Sequence, residues 1–253
     1  MFIREISIRF VSVLAVLASS AVFASAALVS HWEFEGNLND SAGSNSGTGN
    51  GSLGYQSAVI GQGLEFNGGH VTVANPVAGG LESASGFTIA LFVNFETFVG
   101  TGSLVNLRTT GNTSGFSLEE RFANPGSVSF FLNSTGSASF DEIFSAGWQA
   151  GRFHHLAVSY DAASKQMKMY RDGVVVSSGF STNSGMATNA GHQLQIGRNV
   201  VNGTVTNSTL DEVRFYNSAL TDQEIAALAV PEPLSLLGMA ATAALLARRK
   251  RKS

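Results

Sequence analysis

Through the body of the chain, apolar and polar residues alternate with a period of two, in short stretches separated by Gly-, Ser- and Asn-rich breaks. The clearest stretch is Phe87 to Phe95. Phe87, Ile89, Leu91, Val93 and Phe95 fall on one face, and Thr88, Ala90, Phe92 and Asn94 on the other. Leu28 to Phe34 reads as an opening strand, with Leu28, Ser30, Trp32 and Phe34 on one face. Gln62 to Gly68 is a second, which His70 to Val73 continues. Leu104–Leu107, Phe116–Glu120, Val128–Leu132, Gln193–Gly197 and Thr209–Tyr216 follow as shorter strands. Between them, Arg152–Tyr160, Gln166–Arg171 and Val174–Ser177 are joined by the turn residues Asp161 to Ser164 and by Asp172-Gly173. Asp-Gly is a strong signal for a two-residue hairpin, so these three runs form a meander. A meander with an apolar face needs a second sheet to cover it. Glu35 to Gly54 is so rich in Gly, Asn and Ser that it reads as a long loop, with Gly47, Gly49 and Gly51 as linker. Thr221-Asp222-Gln223-Glu224 is a capping box that starts a short helix ending near Leu228.

With 253 residues, of which 13% are charged, the chain suits one sizeable all-β sandwich better than a helical bundle. The net charge of −3 understates how acidic the body is. Arg4, Arg9, Arg248, Arg249, Lys250, Arg251 and Lys252, out of 15 basic residues, all lie at the two ends. An acidic body repels phosphate backbones, so no nucleic-acid partner is expected. Residues 1–26 read as a signal peptide for the Sec export machinery. Arg4 and Arg9 precede the apolar Phe10–Ala18, and Ala24 and Ala26 supply the small residues of a signal peptidase site. The alternative, a retained anchor, would need about 20 apolar residues. Without cysteine, an exported chain has no disulfides to hold it. At the other end, Val230, Pro231, Glu232 and Pro233 precede an apolar run, Leu234 to Ala247, and then the basic residues 248–252. Paired prolines stop the preceding helix and hold the backbone extended. The apolar run covers only about 21 Å as a helix, against about 30 Å of hydrocarbon.

Two sets of motifs resemble known families. Trp32-Glu33-Phe34-Glu35-Gly36-Asn37-Leu38-Asn39-Asp40-Ser41, Gln62 to Gly68, Phe87 to Val93, Phe153-His154-His155-Leu156-Ala157-Val158-Ser159-Tyr160-Asp161 with Met169-Tyr170-Arg171-Asp172-Gly173, and Thr209 to Tyr216 occur in the order seen in LamG-like jelly-roll domains of the concanavalin A-like lectin/glucanase superfamily. Phe92 stands where tryptophan is usual. The resemblance implies an all-β, two-sheet antiparallel jelly-roll sandwich over residues 27–228, with the short helix at its C-terminal end. Residues 229–253 resemble a PEP-CTERM sorting tail. That implies transient membrane insertion through the C-terminal hydrophobic helix, processing by an exosortase-type protease at residues 230–233, and release to the cell surface or outside.

Glucanases of the superfamily carry two catalytic glutamates four residues apart on one strand, with an aspartate between. Neither Glu-x-Asp-x-x-Glu nor Glu-x-Asp-x-Glu occurs here, and Asn37 takes the place of a third acid after Glu33 and Glu35. The adjacent acids Glu119-Glu120 and Asp141-Glu142 read as solvated surface charge. No catalytic residue is assigned, and a non-enzymatic role is expected. His154 and His155 are strand neighbours, so they face opposite ways and cannot share one ion; the family signature implies a structural, hydrogen-bonded role for both. The resemblance to β-glucanases makes Asp211 a candidate ligand of a structural Ca2+, with backbone carbonyls near Glu35 and Gly68 completing an oxygen shell. Pairing with Arg214, or capping a loop, is the alternative. Trp148, Phe140, Phe144 and Tyr55 fall in loop-like stretches, as plugs more often than as sugar platforms. The expected function is a cell-surface or matrix protein that binds extracellular polysaccharide. The alternatives are a glycan hydrolase or lyase with a non-standard acid pair, and a structural or adhesive protein-binding component.

Overall fold

The computed structural model describes residues 26–74, 85–108, 115–122, 124–133, 140–182 and 193–231. Fifteen strands and one helix follow in chain order: β1 (Leu28–Trp32), β2 (Gly47–Asn50), β3 (Leu53–Ser57), β4 (Gln62–Asn67), β5 (His70–Val73), β6 (Gly86–Thr97), β7 (Ser103–Arg108), β8 (Gly115–Glu120), β9 (Val128–Asn133), β10 (Asp141–Ser145), β11 (Phe153–Asp161), β12 (Gln166–Arg171), β13 (Val174–Phe180), β14 (Gln193–Ile196), β15 (Asn207–Tyr216) and α1 (Asp222–Leu228). They form two antiparallel sheets. The eight-stranded sheet runs β13-β12-β11-β6-β15-β4-β3, with β1 also on β15; the seven-stranded sheet runs β10-β9-β8-β7-β14-β5-β2.

The predicted alternation of β6 sets the core. Phe87, Ile89, Leu91, Val93 and Phe95 point into one continuous cluster with Leu156, Val158 and Phe215 of their own sheet and Phe116, Phe130 and Leu194 of the other. Phe87 lies against Phe116, Phe130, Tyr160 and Phe215, stacked nearly parallel to the last. The other face of β6 and β11 is covered as well. Ala90, Ala157 and Tyr170 pack under Leu220 and Ile225, which the short helix brings down onto the sheet. The capping box is present as expected: the Thr221 hydroxyl accepts from the Glu224 N–H, and the Glu224 carboxylate accepts from the Thr221 N–H.

Four expectations need correction. Glu35–Gly54 is not all loop. Gly47 to Asn50 form an edge strand on β5, because only a residue without Cβ fits at Gly47, where an added Cβ would come 2.3 Å from Val71 Cγ1. Leu53 and Gly54 belong to β3, on the edge of the other sheet. His70–Val73 does not continue β4; the chain turns a corner at Gly68, φ 89°, and crosses to the seven-stranded sheet. Asp141–Ser145, with Phe144, is a strand on β9 rather than a loop. The first strand stops at Trp32, since Phe34 has φ 59°, although its ring remains buried. Of the C-terminal tail, Ala229, Val230 and Pro231 are described, and Val230 is exposed. Glu232, Pro233, the apolar run 234–247, Ala24 and nearly all of the leader lie outside the described residues. Among the described residues, no helix is long and apolar enough to cross a membrane.

Candidate functional site

Strand alternation gives the seven-stranded sheet two unlike faces. Val71, Leu194, Val105, Leu107, Phe116, Leu118, Phe130 and Leu132 point inward. The residues between them point outward, and the register aligns Thr48, Thr72, Gln195, Asn106, Ser117, Phe131 and Glu142 in one row across all seven strands. Six of the seven are polar. Open strand edges and turns explain polar residues at the rim, but not in the middle of a row. Asn106 is fully buried and Gln195 is 7% exposed, and each has a carbonyl oxygen with no hydrogen-bond partner, Asn106 Oδ1 and Gln195 Oε1. A buried polar atom without a partner costs free energy that a fold rarely leaves uncompensated.

Glu119 sits beside this row. Its Oε2 accepts from Ser117 Oγ (2.6 Å), Ser103 Oγ (3.1 Å) and Asn199 Nδ2 (3.0 Å). Burial raises its pKa, against the lowering effects of Ser117 and the Arg108 charge. The Arg108 guanidinium lies 4.5 Å over the Phe140 ring. These residues, with Phe131, Val201 and Asn202, line a cleft of about 230 Å3. At the far edge Arg121 covers Phe144 at 3.9 Å and pairs with Glu142, which also accepts from Ser129. Glu119 is therefore part of a built polar site rather than solvated surface charge. Glu120 is not surface charge either: it is 1% exposed and accepts from Gly100 N–H (3.1 Å), Val99 N–H and Thr206 Oγ1 (2.9 Å), closing the loop after β6. The alternation of Ser117 and Glu119 with Phe116, Leu118 and Glu120 was the available sequence signal for this face. Asn199, 80 residues further on, carried none.

The other candidates lie on the eight-stranded sheet. Asp211 is fully buried and caps a loop, its Oδ2 accepting from Ile60 N–H at 2.9 Å. It does not pair with Arg214. That guanidinium binds Glu212, whose Oε2 also meets His31 Nε2 at 2.8 Å. Glu212 has φ 53°, in the bulge where β15 exchanges β4 for β1 as its neighbour. Asp211 Oδ1 has no partner, and burial, followed by the charges of Glu212 and Glu35, pushes its carboxyl up to about 7. Among the described residues no three His, Cys, Asp or Glu side chains gather as a metal site, so any oxygen shell at Asp211 would draw on backbone carbonyls.

His154 and His155 do face opposite ways. His154 Nδ1 meets Asp172 Oδ2 at 3.0 Å, and its ring packs edge-on against Trp148. His155 is only half as expected. Its backbone N–H donates to Asp172 Oδ1 and its carbonyl accepts from Asp172 N–H, but neither ring nitrogen has a partner. Burial and the Arg214 charge lower it to about 4, so it is neutral. Trp148, 3% exposed between Phe95 and His154, is a plug, whereas Tyr55 on β3 is 39% exposed.

A family model described as the concanavalin A-like lectin/glucanases superfamily matches residues 66–226. The chain belongs to that superfamily. No curated protein sequence matches it. Among solved structures, domain 4 of AbnA, a GH43 extracellular arabinanase from Geobacillus stearothermophilus solved in complex with arabinotriose, is similar at a TM-score of 0.65 and 22% identity, over 81% of this chain and 99% of that one. The binding domain of botulinum neurotoxin DC in complex with SialylT is similar at 0.63 and 14%, over 81% and 51%. The botulinum neurotoxin serotype G binding domain gives 0.64 and 12%, over 80% and 50%. The chain thus spans about half of the neurotoxin binding domains. At these identities the likeness shows the fold.

Proposed function

We propose that this superfamily domain binds extracellular polysaccharide on the outer face of its seven-stranded sheet, without cleaving it. The observation that carries the reading is the cleft beside this polar row, where the Arg108 guanidinium lies over Phe140 next to the Glu119 carboxylate and the Asn199 and Asn202 amides. Aromatic surface beside amide and carboxylate groups is the usual chemistry of a sugar site. The arabinotriose held by the arabinanase domain, on the same fold, is consistent with it. The wider context is an exported protein, cut at Ala26 by signal peptidase and processed by an exosortase at Val230, Pro231, Glu232 and Pro233, which leaves it on the cell surface or in the matrix. Asp211 supplies the carboxylate of a structural Ca2+ in this reading, since its Oδ1 is buried and open. There the ion would neutralise a charge the fold otherwise holds at a cost.

The test is polysaccharide affinity electrophoresis of the full chain, paired with a reducing-sugar assay. Retardation without sugar release is the expected result; absence of retardation by any polymer overturns the reading and favours a protein-binding role. One observation favours the hydrolase alternative. Glu119 is a desolvated carboxyl, and Glu142, on the same face, raises its pKa further, with Ser129 opposite Glu119 and bonded to Glu142. Sugar release that disappears in Glu119→Gln would establish that alternative.

A further inference from the structure

We infer that Glu119 reads the sugar in this cleft: its carboxylate oxygen Oε1 accepts a hydroxyl proton of the bound unit, and binding weakens when that oxygen takes up a proton of its own. The inference rests on the binding site proposed above and adds its main contact and its dependence on pH. The two oxygens of Glu119 are not equivalent. Oε2 accepts from Ser117 Oγ at 2.6 Å, Ser103 Oγ at 3.1 Å and Asn199 Nδ2 at 3.0 Å. With the Ser103 proton given to Ser117 instead, 3.1 Å away, two donors still hold Oε2. Among the described residues no donor reaches Oε1. Nor does Oε1 belong with the buried atoms that lack a partner, such as Asn106 Oδ1 and Gln195 Oε1. It is therefore open to solvent, on a half-buried side chain that lines the cleft. The bonds to Oε2 already fix that side chain, so a ligand need not pay to order it.

The surrounding residues suit a sugar unit at this oxygen. Asn199 is used within the protein: its Nδ2 donates to Glu119 and the Thr101 carbonyl, and its Oδ1 accepts from the Val201 and Asn202 N–H groups. Asn202 Oδ1 accepts from Thr204 N–H, and among the described residues nothing takes its Nδ2. Phe131 and Val201 add apolar surface for the C–H groups of a ring. A unit with several hydroxyls can thus donate one proton to Glu119 Oε1 and accept another from Asn202.

The same asymmetry decides where a proton goes. Oε2 is surrounded by donors, so protonation falls on Oε1 and turns the open acceptor into a donor. Burial above all raises the Glu119 pKa from 4.5; Ser117 and Ser103 lower it, as does the charge of Arg108 on β7, while Glu142 on β10 raises it further. On β9 the residue opposite is the uncharged Ser129. A sugar hydroxyl can still accept from the protonated form. A neutral hydrogen bond then replaces a charge-assisted one, a loss of about tenfold in affinity.

The test is affinity electrophoresis of the full chain against arabinan, a mixed-linkage β-glucan and galactomannan, which have no titratable groups, from about pH 4.5 to 8. Glu119→Gln runs alongside. Its amide oxygen keeps Ser117, Ser103 and Asn199, which turns Nε2 to the place of Oε1 and imitates the protonated state at every pH. Wild-type Kd should be constant near pH 8 and rise about tenfold as the pH falls through the Glu119 titration. It should end at the value Glu119→Gln shows throughout, with no loss of Tm in the variant at pH 8, because the bonds to Oε2 remain and a desolvated charge is gone. Should the variant not fold, the wild-type titration alone decides. A wild-type Kd indifferent to pH, or a variant that binds as tightly as the wild type at pH 8, overturns the role of Oε1 but leaves glycan binding intact. Retardation by none of the polymers overturns the glycan reading beneath it. Sugar release that is lost in Glu119→Gln overturns both, since Glu119 would then act as an acid on the glycosidic bond.

Discussion

Replacing Asp211 with asparagine separates the effect of a proton from that of a metal at a fully buried carboxylate. In the folded chain, burial above all raises its pKa from 3.8 to about 7. Below about pH 4 the group is protonated in the folded and unfolded chains alike and contributes no pH dependence. Between about pH 4 and 7 the unfolded chain releases the proton while the folded chain keeps it, so stability falls as the pH rises; above pH 7 the whole penalty is present. A displacement of about three pH units, at about 1.4 kcal/mol each, amounts to about 4 kcal/mol. Asparagine retains an oxygen for the Ile60 N–H and cannot ionise. Urea unfolding in chelator from pH 4 to 8 should therefore show wild-type stability falling relative to Asp211→Asn by up to about 4 kcal/mol, levelling off above pH 7. The pH-independent offset between the two proteins reflects the amide that replaces Oδ1 and is not the readout. Parallel curves across this range would refute the buried-carboxyl argument. Added calcium supplies the second arm. If the ion sits on Asp211, it stabilises the wild type alone, and most at high pH, by mass action; equal stabilisation of both proteins removes Asp211 from its shell.

Three further substitutions test the framework of the two sheets. Phe87→Ala empties the centre of an aromatic cluster drawn from both sheets and should cost about 3–5 kcal/mol in chemical denaturation; a loss under about 1 kcal/mol would mean the core closes up around the gap. Gly115→Ala should cost more than about 1 kcal/mol, because φ is 105° and the new Cβ would lie 1.8 Å from the Leu107 carbonyl oxygen. Its damage should fall on β7 and β8, visible as faster amide exchange in those strands first. Thr221→Ala removes the capping-box hydroxyl and should cost about 1 kcal/mol, read as a lower Tm with no change in polysaccharide retardation.

Much of the architecture was legible because its signals are local. The period-two pattern of Phe87 to Phe95, the Asp172-Gly173 turn and the Thr221–Glu224 box each depend on side chains within one element, and each appears where expected. Elements whose residues carry no apolar pattern of their own were not legible. β2 is Gly-Thr-Gly-Asn, and pairs because β5 offers an edge and Val71 leaves room only for glycine. β5 reads as an extension of β4, and only the corner at Gly68 sends it to the other sheet. The polar outer face of the seven-stranded sheet was less legible still. Glu119 has the look of surface charge when read beside Glu120.

By itself, then, the sequence determined the all-β class, the order of most strands, the capped helix and the superfamily, because backbone alternation, turn chemistry and caps act over a few residues. Tertiary structure alone decided that Glu119 is half-buried among Ser103, Ser117 and Asn199, that Asn106 and Gln195 stand side by side with buried, unpartnered oxygens, and that Asp211 is held away from Arg214. Burial, and with it the free energy of a charge or an open acceptor, depends on which distant segments pack around a side chain, and that is a property of the assembled sheets.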